Sequence, residues 1–349
     1  MKTFNAVLRN RWFRVAMLIP MALAVVAIVW WRGPDWHTVD DAFTAVRWHW
    51  AAVAIVLNLL SAITRAIAWS IVIRQAMPPP HPRLPLVFSA YSVGLFGNAV
   101  LPGRVGELAR VAVLTRKIPG DRPGGTWASL LGTVVAHRLF DVIPSMLLVA
   151  YVLVTAKLPH WAITSLVAVL SIGVVVLLFG IASARRHHRS VLDSGGTIRR
   201  LVTMTRHGLG VLHEPIPAAG ALFFQCAGWL CQLFAVYTAM RAFHLHLSVP
   251  AAALVLVLMN VAMLFPLWPG NVGLLQAAIA LPLVQYGVAY ADGFAFGIGL
   301  QAIEASVGVG VGLIFLGREG LSFAMLRRMP DAGQAEVPEH GRERARVPG

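Results

Sequence analysis

The chain is a succession of long apolar runs joined by short polar connections. The runs have the length a helix needs to cross a bilayer, about 20 residues for a hydrocarbon core of about 30 Å. They are Val15–Trp31, Trp50–Ile73, Thr126–Ala156, Trp161–Ile181, Ile216–Met240, Val249–Trp268 and Phe294–Leu316. Two further runs, Leu84–Leu101 and Leu274–Val288, are interrupted by Gly, Pro and polar residues. Trp30, Trp31, Trp36, Trp48, Trp50 and Trp161 cluster at the ends of runs, where interfacial aromatic belts form. The pattern predicts an all-α polytopic integral membrane protein with about six to eight spanning helices.

The connections carry the topology. The N-terminus is basic (Lys2, Arg9, Arg11, Arg14) and reads as a cytoplasmic, uncleaved anchor, because Trp30-Trp31-Arg32-Gly33-Pro34 replaces a small-residue cleavage site. Asp35, Asp40 and Asp41 fit an outside loop, and Arg74 and Arg83 put the next connection inside. If Leu84–Leu101 then crossed, the basic stretch Arg104, Arg110, Arg116, Lys117, Arg122 would lie outside, and so would the run of arginines from Arg185 to Arg206. Both conflicts vanish if Leu84–Lys117 is a re-entrant hairpin that returns to the cytoplasm. Parity leaves Val249–Trp268 and Leu274–Val288 open: two crossings, or one hairpin entered from outside. Either way the C-terminus (Arg318, Arg327, Arg328) is cytoplasmic. Residues 1–328 are expected to form the membrane domain. Residues 329–349, which mix Asp, Glu and Arg without apolar period, are expected to be a disordered cytoplasmic tail.

Composition excludes several classes. The 349 residues are 58% hydrophobic and 13% charged, half the charge of a soluble domain, so lipid must cover the surface. The net charge of +14 would suggest nucleic acid in a soluble protein, but here the basic residues sit between apolar runs and obey the positive-inside rule. No nucleic-acid partner is expected; the partners are membrane lipids. Cys226 and Cys231 lie in one apolar run without metal-ligand spacing, and His244-x-His246 is too sparse for a site. No metal or other cofactor is expected. The basic stretch from Arg185 to His213 is a topology signal that also suits an anionic lipid surface.

Two heptapeptides match: Pro102-Gly-Arg-Val-Gly-Glu-Leu108 and Pro269-Gly-Asn-Val-Gly-Leu-Leu275. Each follows one apolar segment and opens another, so Pro102, Gly103, Gly106 and Pro269, Gly270, Gly273 are candidate re-entrant turns. Broken backbone is tolerated at membrane depth only when buried in protein or lining a wet cavity. Paired Gly/Pro interruptions in two halves point to a transporter site, and hairpins entered from opposite faces would form an inverted repeat.

These residues carry a family resemblance. Phe96-Gly-Asn-Ala-Val-Leu-Pro-Gly-Arg-Val-Gly-Glu-Leu-Ala-Arg110 resembles the signature of the lysylphosphatidylglycerol synthase transmembrane region, also called the flippase-like family. His137-Arg138-Leu-Phe-Asp141 resembles its Arg-x-x-Asp helix, and Pro269-Gly-Asn-Val-Gly273 its second Pro-Gly segment. The resemblance covers nearly the whole chain. It implies lipid translocation between leaflets, or another membrane role. Full-length synthases carry a soluble aminoacyl-transferase domain after the membrane region; this chain ends at Gly349, soon after its last run, and no enzymatic half is expected. Two departures stand out: Gln276 where the resemblance leads one to expect a carboxylate, and Gln301 with Glu304 in place of an Arg/Tyr pattern.

An ionisable residue at the centre of a span costs about 2.5–3.5 kcal/mol on insertion scales, so each needs a partner or a function. Arg104, Glu107 and Arg110 are spaced to form one ladder on a helix, with Arg104 and Arg110 as candidate phosphate contacts and Glu107 orienting them. The competing reading is an interfacial helix with neutralised pairs and snorkelled arginines. Arg138 and Asp141, with His137, share one face of the third run, either as an ion pair that fixes packing or as a second phosphate contact. Glu304, with Gln301 on the same face, is a candidate proton carrier or a hydrogen-bonded structural group. Asn98, Asn260, Asn271 and Gln276 are candidate cavity residues. Gln225 and Gln232 share one face and suit interhelical hydrogen bonding. Arg65 lies deep enough to need a partner unless it snorkels toward Arg74.

The candidate substrate-binding set is therefore Asn98, Arg104, Glu107, Arg110, Arg138, Asp141, Asn271, Gln276 and Glu304. The leading expectation is a translocator of a phosphate-bearing lipid or lipid-linked precursor. The alternatives are a membrane enzyme of phospholipid or lipid-linked glycan synthesis, or a scaffold partner of a separately encoded lipid-modifying enzyme. Against an enzyme, Asp40-Asp41 is the one adjacent acidic pair and no Asp-x-Asp occurs. His137-x-x-x-Asp141 has no membrane-phosphatase context either, since Leu130 and Leu131 stand where that motif needs Ser-Arg.

Overall fold

The computed structural model describes residues 35–100, 105–118, 126–158, 160–185, 214–263 and 271–318. The first apolar run, the turn residues Pro102, Gly103, Arg104, Pro269 and Gly270, most of the basic stretch 186–213, and the expected tail lie outside the described residues. Among those described, the chain is helical throughout its regular structure. A short helix α1 (Trp36–Thr44) precedes α2 (Trp48–Ala76); α3 (Leu84–Val100) and α4 (Gly106–Lys117) follow. Then come α5 (Thr126–Thr155), α6 (His160–Arg185), α7 (Pro215–Ala242), α8 (Val249–Ala262) and α9 (Leu274–Leu283). The last span is α10 (Tyr290–Ala305), a π-helical turn Ser306–Val311, and α11 (Gly312–Arg318).

Length separates two kinds of helix. At 1.5 Å per residue, the 29 residues of α2, 30 of α5, 26 of α6 and 28 of α7 each exceed about 38 Å, enough to cross a core of about 30 Å. The 17, 12, 14 and 10 residues of α3, α4, α8 and α9 reach only about 25, 18, 21 and 15 Å. The protein is thus a multi-pass membrane protein whose long helices enclose two pairs of short ones. The apolar side chains left outside, such as Val154, Ile172, Val175, Leu178, Phe223 and Ile314, are exposed because lipid is their solvent.

The two short pairs are hairpins that enter from opposite ends of the bundle. The end of α2, the start of α3, the end of α4 and the start of α5 share one end, where Phe88 also meets Phe315 edge-on at 5.5 Å near the end of the last span. At the other end Arg47 N donates to Ala242 O (2.9 Å), tying the start of α2 to the end of α7. There too Lys157 N donates to the Tyr286 hydroxyl (2.8 Å), tying the end of α5 to the turn after α9. Both hairpins rest on the last span. The α9 helix lies along α10, with Gly293 against Ala280 and Gly297 against Gln276; the α3 helix lies along the π turn and α11, with Gly308 near Ala99 and Gly312 against Ser92 and Phe96. Each hairpin anchors its own apolar cluster, one holding Leu254, Leu256, Leu275, Ile279 and Phe296, the other Trp69, Val87, Val111 and Leu114.

The structure decides the alternative that parity left open: Val249–Trp268 is not a full span. The helix stops at Ala262, four residues before Pro266, whose ring would strike the Ala262 carbonyl in a continuing helix. Asn271 Nδ2 donates to that carbonyl instead (3.0 Å), from a buried, left-handed backbone position (φ 45°). The α1 helix was not foreseen; Asp35 opens it, its Oδ1 accepting from His37 N at 3.0 Å in place of a missing helical partner.

Candidate functional site

Charged side chains from four helices meet where the two apolar clusters change over. In α5 the changeover falls between Val134 of one cluster and Val149 of the other, with Asp141 between them; in the last span it falls between Ile303 and Val307, with Glu304 between them. Backbone approach makes the room. A Cβ on Gly106 would come within 2.6 Å of Asn98 Oδ1 and 2.7 Å of Asn98 N, so only glycine lets α4 fold back against α3. That contact swings Glu107 and Arg110 toward α5. Likewise a Cβ on Gly228 would lie 2.9 Å from Arg65 Cγ. The bare backbone there lets the Arg65 stem cross α7 while Ser61 Oγ donates to Gly228 O at 2.8 Å.

The groups form a continuous chain. Arg110 pairs with Glu107, one helical turn away, and Glu107 is also gripped by Arg138 of α5. Arg138 Nη1 reaches Asp141 Oδ2 at 3.0 Å. Asp141 Oδ1 receives Arg65 Nη1 of α2 at 3.5 Å, Trp229 Nε1 of α7 at 3.0 Å, and the Gln225 amide. Arg65 Nη2 donates to Gln232 Oε1 at 2.7 Å, and Gln232 Nε2 donates to Glu304 Oε1 at 3.3 Å. The two buried guanidiniums are also covered by aromatic faces: Arg65 lies 5.0 Å from the Trp229 ring, and Arg110 lies 4.7 Å from Trp69 and 5.8 Å from Tyr91. Cation–π contact replaces part of their lost hydration. His137 Nε2 donates to the Arg65 carbonyl at 3.2 Å, so the imidazole braces α2 and spends one nitrogen there.

Exposure along the chain is graded. Arg110 is 2% exposed, whereas the Arg138 side chain is 43% exposed and presents the network to the outside. Among the described residues Arg110 Nε and Asn98 Oδ1 are buried without a hydrogen-bond partner, which leaves a donor and an acceptor unused near Gly106.

The second hairpin offers amides instead of charges. Gln276, buried, accepts from Gly273 N at 2.6 Å and donates from Nε2 to Gln301 Oε1 at 2.5 Å. Gln276 and Gln301, two of the residues that depart from the expected pattern, therefore meet in one contact. The matched heptapeptides differ in backbone: Gly273 is left-handed (φ 90°), while Gly106 is the first residue of its helix.

Of the residues singled out from sequence, Glu107, Arg110, Arg138, Asp141 and Glu304 belong to this chain. Asn98 packs beside it against Gly106, Gln276 joins the last span one turn before Glu304, and Asn271 is committed to the end of α8. Arg104 lies outside the described residues. Arg65, Gln225, Trp229 and Gln232 belong to the chain but were absent from the candidate set. A charge in the middle of an uninterrupted 29-residue apolar helix was the available signal for Arg65, which pairs rather than snorkels.

The sequence matches the family described as the lysylphosphatidylglycerol synthase TM region over residues 17–312. The chain belongs to this family. It is also similar to a UPF0104 membrane protein of Methanothermobacter thermautotrophicus, 23% identical over 289 residues that cover 76% of this chain and 81% of that one. No solved structure matches. Membership makes this a lipid-related membrane protein, and both hairpins and the whole ionic chain fall within the matched residues.

Proposed function

We propose that this protein moves a phosphate-bearing lipid or lipid-linked precursor between leaflets. The observation that carries the reading is the ionic chain from Arg110 to Glu304, set at the changeover between two hairpins of opposite entrance. Fixed charge at that depth is expensive, and a purely structural bundle would be served as well by apolar packing. Guanidinium groups also suit the ligand, because their forked donors match phosphate oxygens. In this reading Arg138, the most exposed cation of the chain, meets the phosphate first. Arg110 and Asn98 offer the unused donor and acceptor beside Gly106. Opposed hairpins on one last span provide the two gates that alternating access needs. In this reading the membrane is a bacterial-type inner membrane and both termini lie in the cytoplasm, a topology that the basic connections favour.

The test is reconstitution into vesicles with a panel of fluorescent lipids, reading the fraction of each that a membrane-impermeant quencher can reach over time. Movement of a phosphate-bearing lipid that is lost in a folded Arg138→Ala variant supports the reading. No movement of any lipid removes it and leaves a scaffold role beside a separately encoded lipid-modifying enzyme.

A further inference from the structure

Among the described residues three carboxylates lie at membrane depth, and they are treated differently. Glu107 is held by Arg110 and Arg138, and Asp141 by Arg65 and Arg138. Glu304 has no arginine on it. Its contact is one neutral amide, Gln232 Nε2 at 3.3 Å, whose oxygen in turn holds Arg65. A half-buried carboxylate at membrane depth with a single neutral donor is costly, whereas a protonated carboxyl can both accept and donate there.

Among the described residues no second cation contacts Glu304. The α2 helix brings Arg65, one amide removed. The α7 helix brings Gln232, α9 brings Gln276 through Gln301, and α3 brings Leu95 and Ala99 opposite Gly308. The α1 helix, with His37, Asp40 and Asp41, meets α10 at Phe294, about 15 Å away along the helix. Arg138 and Asp141 of α5 and Glu107 and Arg110 of α4 connect to Glu304 only through Arg65 and Gln232.

Position adds a second argument. Glu304 sits between the two hairpin contacts on the last span, one turn after the Gln301–Gln276 bond and one turn before Gly308 reaches α3. The π turn Ser306–Val311 follows at once, a rare distortion that concentrates at functional sites.

We propose that Glu304 is a proton site whose occupancy is tied to binding of the lipid phosphate at the arginines; this rests on the translocator reading. Ionised, Glu304 offsets Arg65 through Gln232, and the three guanidiniums of the chain face three negative carboxylates. When a water-borne proton is taken up on a Glu304 oxygen, the guanidiniums outnumber the ionised carboxylates by one. A phosphate monoanion restores the balance, so proton and lipid enter together and leave together. Acid therefore favours binding, and linkage of one proton per lipid gives about a tenfold gain in affinity per unit fall in pH above the titration of Glu304.

The experiment uses the full chain in neutral-detergent micelles and a fluorescent short-chain phosphatidylglycerol, titrated from about pH 5 to about pH 9. The wild type is expected to approach the tenfold slope. Glu304→Gln is expected to bind with wild-type acid-side affinity at every pH, and Glu304→Asp to restore the slope. Independently of any variant, adding the lipid to weakly buffered wild-type protein is expected to take up about one proton per lipid bound. An unchanged slope in Glu304→Gln, a flat wild-type profile, or no proton uptake overturns the proposal. Lipid movement in vesicles with the same pH profile in wild type and Glu304→Gln overturns it while leaving the translocator standing. A slope that vanishes in Glu304→Gln without movement of any lipid keeps the proton site and removes the translocator. No binding at any pH removes both.

Discussion

Truncating Asp141 to alanine tests the ionic chain at its hub. Asp141 accepts from Arg65, Arg138, Trp229 and Gln225. Without it Arg65, whose side chain is 13% exposed, keeps only Gln232. Leaving a buried charge unpaired in this way costs about 3–5 kcal/mol. Arg138 adds little, because it retains Glu107 and is close to half exposed. The two neutral donors add about 0.6 kcal/mol each, the average for hydrogen bonds between membrane helices. Together the loss is about 4–6 kcal/mol, a fall in the detergent melting temperature on the order of 10 °C. The companion variant removes the charge along with its partner: Arg65→Leu with Asp141→Ala is expected to return to within about 2 kcal/mol of wild type. Thermal unfolding followed by size-exclusion recovery measures both. If Asp141→Ala melts with wild type, or the double variant is no more stable than the single one, Arg65 and Asp141 are not coupled and the chain is broken at its centre.

Two further substitutions probe the hairpins. Gly106→Ala drives a methyl into Asn98 and is expected to cost more than about 3 kcal/mol by overpacking, whereas Gly308→Ala, with its nearest neighbours 3.9 Å away, melts within about 1 kcal/mol of wild type. Gln276→Leu loses a bond to Gly273 N and one to Gln301 and is expected to melt about 1–2 kcal/mol lower.

What the sequence disclosed follows from the range over which each signal acts. Spanning helices were legible because lipid demands an unbroken apolar run, and observed ends differ from expected ones by a few residues, as with Trp50–Ile73 against Trp48–Ala76. Counting arginines on either side of Leu84–Lys117 found the first hairpin without any view of its packing. Pairs one helical turn apart, Glu107 with Arg110 and Arg138 with Asp141, were readable from spacing alone. The contacts that join those pairs were not. Arg65 reaches Asp141 across 76 positions and Gln232 across 167, and no local pattern encodes which helices become neighbours. Hydropathy also overran at Val249–Trp268, because Met263, Leu264 and Phe265 continue the apolar run past Ala262 while Pro266 forbids the helix. The α1 helix escaped notice because its cue, Asp35 capping a short segment, is drowned by the loop's polarity.

The two pairs of short helices are hairpins opening at opposite membrane faces, and their ends can be reached separately from each side. Single cysteines at Arg83, Lys117, Lys157 and Val288, introduced after Cys226→Ala and Cys231→Ala, can be labelled with an impermeant maleimide in sealed vesicles of known orientation. The arrangement described here requires Arg83 and Lys117 to react from one face and Lys157 and Val288 from the other. Reaction of the cysteines at 83 and 117 from opposite faces would make α3 and α4 parts of a crossing, with no hairpin there.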